Sequence, residues 1–273
     1  MNWRAIKALI TKDLRVVVQS KAVMIPALIV PLIFIVLLPI GLAFFMSNPN
    51  LMGDIEADLA PFLANMPAHI RADLAPFPDL NQQFFYIMMV YQFATLFLIV
   101  PLMLANVIAS DSFVGEKERK TLEALIYTPT TDLEIYVAKL LTAWIPALVI
   151  TFISGIIYMI VVNLSGYGFM GRVILPTPLW LILLVWVAPA AAGLGLSATV
   201  LVSSRVNTFQ EAQQLGGVIV LPIVAMMIGQ FSGLIYLSPA VLLIGGALLW
   251  LIDFGLLWYG ASTFQRGELI AKL

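Results

Sequence analysis

The sequence contains no cysteine and only one histidine, His69. It therefore has no disulfide, no thiolate metal site and no cysteine nucleophile, and one histidine cannot form a metal cluster by itself. Charge is also scarce, because only 11% of the residues are charged and the net charge is −1. A nucleic-acid partner, which is bound mainly through basic residues, is not expected.

Apolar residues take the place of the missing charges. They make up 62% of the chain, and the mean hydropathy is +1.02. A soluble domain carries about a quarter charged residues, whereas several stretches here run for a bilayer's width with almost no charge. The sequence predicts an all-α integral membrane protein.

We predict one transmembrane permease domain over residues 1–273, with six membrane-spanning helices. The predicted spans are 22–46, 84–109, 140–163, 178–202, 214–235 and 240–262, each near the ~20 residues that cross a bilayer. Glycine and proline between the last two leave open that 227–243 is a re-entrant hairpin. The loop 47–83 repeats the hexapeptide Ala-Asp-Leu-Ala-Pro-Phe and is expected to contain two short helices.

Residues 1–21 combine five basic residues with apolar residues at helical spacing. This pattern predicts an amphipathic helix that lies at the membrane surface. A secretory signal is the alternative, but the following apolar run is about 25 residues long, beyond the usual signal core, and lacks an A-x-A site. We expect the segment to be retained.

Basic residues also predict the orientation, since they accumulate in cytoplasmic segments. Twelve of the fourteen lie in 1–21, 110–139, 203–213 and 263–273, whereas the opposite side has only Arg71 and Arg172. Both termini are therefore expected in the cytoplasm, and the protein in the cell membrane.

The segment 110–139 is the only charge-dense stretch in the middle of the chain. A solvated loop that follows the positive-inside rule would explain its four basic residues. It would not explain the six acidic residues among them, so we interpret the segment as a charge-complementary docking surface. Apolar residues at 122, 125 and 126, followed by Pro129, predict a short helix.

The same segment resembles the permease subunits of ABC-2 type transporters, the membrane halves of ATP-binding-cassette exporters. That family carries E-K-E-x-x-T-L-E-x-L-x-x-[ST]-P and then E-I-x-x-x-K between its second and third spans. The matching residues here are Glu116, Lys117, Glu118, Thr121, Leu122, Glu123, Leu125, Thr128, Pro129, Glu134, Ile135 and Lys139. The overall order of amphipathic helix, long first loop and six spans is similar as well.

The resemblance implies that 112–129 contains the coupling helix, which seats in a groove of a separate ATPase subunit. The implied ATPase-coupling residues are Phe113, Glu116, Lys117, Glu118, Arg119, Thr121, Leu122, Glu123, Leu125, Thr128 and Pro129. It further implies two ATPase copies and a second permease copy, with a homodimer favoured over a heterodimer. The expected cargo is a hydrophobic or amphipathic substrate, a drug or an ion.

No G-x-x-x-x-G-K-[ST] phosphate loop occurs in the sequence, so this chain is not expected to bind nucleotide phosphates in that way. We expect ATP and Mg²⁺ on the partner subunit and neither a catalytic residue nor a cofactor in this chain.

Polar residues inside the predicted spans support a rival hypothesis. Asp253 lies within the sixth span, where an unpaired ionisable group costs several kcal/mol, and an ion-coupled carrier or channel could use it. Gln92, Asn106 and Gln230 are further candidates for a pathway, although hydrogen bonding between helices is their default role. An intramembrane hydrolase would need a paired nucleophile and base, and the sequence offers no such set.

Overall fold

A computed structural model describes residues 2–48, 66–119, 130–203 and 205–263. Within these ranges the chain forms helices joined by turns, and no strand occurs. The first copy of the repeated hexapeptide lies outside the described residues. The second copy overlaps a short helix, Ala68–Leu74.

We number the helices in chain order through the described residues. They are α1 (Trp3–Gln19), α2 (Lys21–Met46), α3 (Ala68–Leu74), α4 (Leu80–Glu118), α5 (Asp132–Met170), α6 (Pro178–Ser203), α7 (Phe209–Phe231) and α8 (Pro239–Thr263). Six of them, α2 and α4 to α8, are long and apolar enough to cross a membrane. The prediction of a six-helix membrane bundle is confirmed.

The helices α4 and α5 are longer than the sequence suggested. Each has 39 residues, about 58 Å at ~1.5 Å per residue, whereas the hydrocarbon core is ~30 Å thick. The helix α4 continues to Glu118 instead of ending near residue 109, and α5 begins at Asp132 instead of residue 140. Much of the segment predicted as a cytoplasmic connection is thus a helical extension of the spans.

The centre of the bundle is formed by α4 and α6. In their most apolar windows 83% and 72% of the residues are buried, compared with 17% in α7 and in α8. Small residues allow the close approach of α4 and α6, because a Cβ on Gly195 would lie 2.4 Å from the carbonyl oxygen of Leu102. Two central helices are therefore surrounded by four that keep exposed apolar faces.

Wide, π-type turns interrupt the regular hydrogen bonding of α4 at Met88–Gln92 and at Asp111–Gly115. Side chains of other helices bind the carbonyls of the first turn. The Tyr158 hydroxyl donates to the carbonyl of Met89 over 2.8 Å, and Trp180 Nε1 donates to the carbonyl of Val90 over 3.0 Å. The Tyr158 and Trp180 rings stack at 4.4 Å, so this turn joins α4 to α5 and α6.

The helix α7 ends at Phe231 and α8 begins at Pro239, with Gly233 at φ +76° in the connection. A positive φ suits glycine, which has no Cβ to clash. Each helix is by itself long enough to cross the membrane, so two spans describe this region better than a re-entrant hairpin at 227–243.

Candidate functional site

The described part of the predicted coupling segment forms the last turns of α4, which we call the α4 base (111–119). It contains Phe113, Glu116, Lys117, Glu118 and Arg119. The other predicted coupling residues lie outside the described residues: Thr121, Leu122, Glu123, Leu125, Thr128 and Pro129. The predicted short helix around them is therefore not described.

Glu116 lies at the centre of the α4 base and joins three helices. Its Oε1 accepts a hydrogen bond from Lys12 Nζ of α1 over 2.9 Å, and its Oε2 accepts one from Lys139 Nζ of α5 over 2.5 Å. Glu116 is only 6% exposed and Lys139 only 2%. A buried carboxylate held between two ammonium groups has its desolvation offset by its partners.

Lys139 makes two further contacts at the α4 base. Its Nζ donates to the carbonyl oxygen of Ser112, inside the wide turn Asp111–Gly115, and lies 5.5 Å from the centre of the Phe113 ring. A wide turn changes which carbonyl accepts the hydrogen bond of each backbone amide. Here one carbonyl of the turn accepts a hydrogen bond from a neighbouring helix. The buried ammonium thus contacts two acceptors and lies near one aromatic ring of α4.

The amphipathic helix α1 is held at two points. Near its middle, Asp13 is buried beside Lys12, and this burial raises the pKa of the Asp13 carboxyl, against the opposing attraction of Lys139. At its start, the backbone N–H of Asn2 donates to Glu134 Oε1 over 2.5 Å. Glu134 also closes a capping box with Thr131 at the start of α5, so α1 is attached to α5 as well as to α4.

The end of α4 is also bound to the start of α7. Lys117 Nζ donates to the carbonyl of Val206 over 3.1 Å and to Asn207 Oδ1 over 2.8 Å. The backbone N–H of Phe209, the first residue of α7, donates to Glu118 Oε2 over 2.8 Å. A carboxylate at a helix N-terminus is stabilised by the free amides and the helix dipole.

These contacts change the interpretation of the acidic residues in 110–139. Asp111 pairs with Arg119 at 3.0 Å, and Glu116, Glu118 and Glu134 bind groups of this chain. Their charges therefore have internal partners, which the docking interpretation did not foresee. Glu118 and Arg119 keep exposed surface, whereas Glu116 and Lys117 are buried. That the segment contacts an ATPase stays a prediction.

Three of the four predicted intramembrane polar residues join α4 to α7. Gln230 Oε1 accepts a hydrogen bond from Thr95 Oγ1 over 2.6 Å, and Gln92 Nε2 donates to the carbonyl of Met227 over 3.4 Å. Closer to the α4 base, Asn106 Nδ2 donates to the carbonyl of Gln213 over 3.3 Å. These residues hold α7 on α4, and their role in a pathway stays a prediction.

Asp253 lies apart from that set, between α8 and α6. It is 1% exposed, and in the described part of the chain neither carboxylate oxygen has a hydrogen-bond partner. The carboxylate rests on Gly193, where an added Cβ would lie 2.5 Å from Asp253 Oδ2. The described residues include no group of three metal-ligating side chains around it or elsewhere.

Sequence patterns do not identify Lys12 and Asp13 as site residues. Lys12 is predicted only as one of several basic residues of a surface helix, and Asp13 has no predicted role. One signal in the sequence could have identified Asp13. It is the only acidic residue among the first 21, whose other charged residues are all basic. Sequence spacing alone could not pair either residue with Glu116, more than 100 positions away.

A comparison with protein families gives a match. The model described as ABC-2 family transporter protein matches residues 7–251, which include α2 to α7, most of α1 and the first half of α8. A search of curated proteins gives no match.

Proposed function

The chain belongs to the ABC-2 family of transporter proteins and is a multi-pass membrane permease of an ATP-binding-cassette transporter, and we propose that two such chains form the translocation pathway for export. A homodimer is the simplest assembly. Two separate ATPase subunits bind ATP and Mg²⁺, and the cargo is a hydrophobic or amphipathic substrate, a drug or an ion.

The contacts of the α4 base carry this proposal. Glu116 joins α1, α4 and α5, and the neighbouring Lys117 and Glu118 join α4 to α7. Breaking a buried ion pair costs about 3–5 kcal/mol, so a displacement of the α4 base moves these helices together. An ATPase that pushes on the α4 base, or on the residues just after it, would therefore act on the whole cytoplasmic end of the bundle.

The hydrogen bonds along α4 extend this action into the membrane. The contacts at Asn106, Thr95 and Gln92 hold α7 on α4 at successive depths. The opposite face of α7 is largely exposed, and no other described helix covers it. We propose that α7 moves with α4 and that its exposed face lines the dimer or the pathway.

We place the amphipathic helix α1 and both termini in the cytoplasm and the bundle in the cell membrane. The support is the bias of basic residues and the position of α1. Arg4, Lys7 and Arg15 are exposed along α1, where they face water or anionic headgroups.

The first experiment is purification of the tagged chain from its native membrane in mild detergent, followed by mass spectrometry of the proteins that accompany it. We expect a stoichiometric ATP-binding-cassette subunit. Its reproducible absence, while the chain is intact and folded, contradicts the proposal. Transport by the chain alone, without ATP, would instead support the ion-coupled carrier and make Asp253 its central residue.

A further inference from the structure

A cavity of about 310 Å³ lies between α7 and α8, with α4 and α6 behind it. It exists because α7 packs on α4 and α6 but makes few contacts with α8. Every one of its sixteen lining residues is apolar. Ligand cavities usually place a few polar groups among apolar ones to orient the ligand, so this lining suits a hydrocarbon without polar atoms.

The cavity is elongated along the helices. On the α8 side its lining runs from Leu237, in the connection before α8, to Leu249. The twelve residue steps between them correspond to roughly 18 Å at ~1.5 Å per residue, close to one leaflet of the ~30 Å hydrocarbon core. The cavity therefore starts at the membrane edge and ends near the middle of the bilayer.

The mouth of the cavity lies on the exposed outer surface of the bundle, and its floor is deep inside the bundle. Val241 and Leu248, which line it on α8, are 43% and 56% exposed. Leu102 of α4 and Ala191 of α6 form the floor and are 1% and 2% exposed. An occupant can thus enter sideways from the membrane without crossing water.

We infer that this cavity binds one acyl chain of a membrane phospholipid, with the headgroup beside the α7–α8 connection. Water finds no polar partner there, and an empty cavity forfeits dispersion contacts along its walls. The acyl chain is the molecule that the mouth faces, and it matches the lining in chemistry and length. This site does not depend on how transport is driven.

The test is photocrosslinking in nanodiscs of phosphatidylcholine that contain a phosphatidylcholine with a diazirine in the middle of one acyl chain. We expect crosslinks at Leu102 and Ala191, which lipid outside the cavity cannot reach. Phe254 and Trp258, on the exposed face of α8, report ordinary lipid contact. Crosslinks at the exposed pair alone would overturn the inference, and so would occupation of the cavity by a second copy of the chain.

A matched pair of glycine substitutions on α8 tests occupancy. Gly245 lines the cavity and Gly255 faces outward, and an added Cβ has no heavy atom within 4 Å at either position. In Gly245→Leu the side chain fills the cavity, so labelling of Leu102 and Ala191 is lost. In Gly255→Leu it is retained, as is labelling of Phe254 in both variants.

Undiminished labelling of the floor in a folded Gly245→Leu variant would contradict the inference. If that variant does not fold, the labelling map of the unmodified chain decides by itself. Neither result depends on ATPase co-purification, so this inference and the proposed function can fail separately.

Discussion

Glu116 belongs to the sequence motif, but its contacts with Lys12 and Lys139 determine what it does in the structure. The sequence predicts that it lies in a charged cytoplasmic stretch, and the structure places it, buried, between the half-exposed Lys12 and the buried Lys139. In such a site the ion pair is weak evidence for net stability, but the removal of one partner leaves an uncompensated charge. The pair therefore fixes the arrangement of α1, α4 and α5.

We predict that Glu116→Gln lowers the free energy of unfolding by about 3–5 kcal/mol, because it removes the carboxylate in direct contact with the buried Lys139 ammonium and leaves only the attraction of Asp13. The double variant Glu116→Gln with Lys139→Met should recover most of this loss, since no unpaired charge remains. Thermal unfolding in detergent, followed by tryptophan fluorescence, measures both. Lys7→Gln, an exposed change on α1, is the control. Equal losses in the single and double variants would contradict the assigned ion pair.

Asp253 of α8 and Gly193 of α6 form a second pair, in which the carboxylate packs directly against the glycine. We predict that Asp253→Asn is tolerated, because no hydrogen-bond donor or cation in the described residues depends on the carboxylate charge. Gly193→Ala should lower the melting temperature, because its Cβ would lie 2.5 Å from Asp253 Oδ2. Adding Asp253→Ala should relieve that clash.

The same variants test the rival function. If Asp253→Asn keeps the fold but abolishes ATP-independent ion flux in proteoliposomes, the ion-coupled carrier is favoured. A fold that tolerates Asp253→Asn and an unchanged ATP-driven transport rate agree with the permease proposed above.

At the scale of the helix, α4 is the element that joins the proposed coupling end to the membrane interior. It is continuous from Leu80 to Glu118, and its two wide turns present carbonyls to Tyr158, Trp180 and Lys139. Wide turns inside α-helices are frequent at functional positions. Here they let one helix bind its neighbours without leaving the helical path.

We predict that Thr95→Val loosens α7 from α4, because it removes the 2.6 Å hydrogen bond to Gln230 Oε1. Hydrogen bonds between membrane helices contribute roughly 0.6–1.7 kcal/mol. The distance distribution between spin labels at Ile228 of α7 and Ile244 of α8 should broaden. In the reconstituted complex, ATP hydrolysis should continue with less transport.

Thr151→Val is the control for this change. Thr151 is also buried, but its hydroxyl donates to the carbonyl of Ala147 in its own helix. The same chemical change therefore removes no contact between helices. Equal broadening in both variants would show that the Thr95–Gln230 contact has no special role.

At the scale of the molecule, the peripheral helices α2, α7 and α8 are the least buried, with 28%, 17% and 17% of their most apolar windows inside the bundle. Lipid covers such faces in a monomer, and a second copy covers part of them in a dimer. The exposed apolar surface is thus expected of a membrane subunit and would be unusual on a soluble monomer.

The absence of cysteine makes the orientation directly testable. We predict that a single cysteine at Lys7 reacts with a membrane-impermeant maleimide only after lysis, because α1 is proposed to be cytoplasmic. Single cysteines at Val173 and Leu234, both exposed in connections on the opposite side, should react in intact cells. The reverse labelling pattern would invert the proposed orientation.

The sequence by itself determined the class of the protein and its six helices. The hydrocarbon core contains no water, so a segment that crosses it must pair its backbone N–H and C=O groups within its own helix. Composition and length therefore suffice to predict the spans. The family resemblance rested on the stretch 116–139, and the family match agrees with it. The helices α4 and α5 extend beyond the predicted spans. The charged residues there predict a loop as long as their buried partners are unknown.

Only the tertiary structure decided what the polar residues contact. Glu116 meets Lys12 across 104 positions, and Thr95 meets Gln230 across 135. Local periodicity carries no information about such separations, since they depend on which helices pack side by side. The cavity between α7 and α8 was equally hidden, because its lining residues look like any other apolar residues of a membrane helix until four helices surround the space between them.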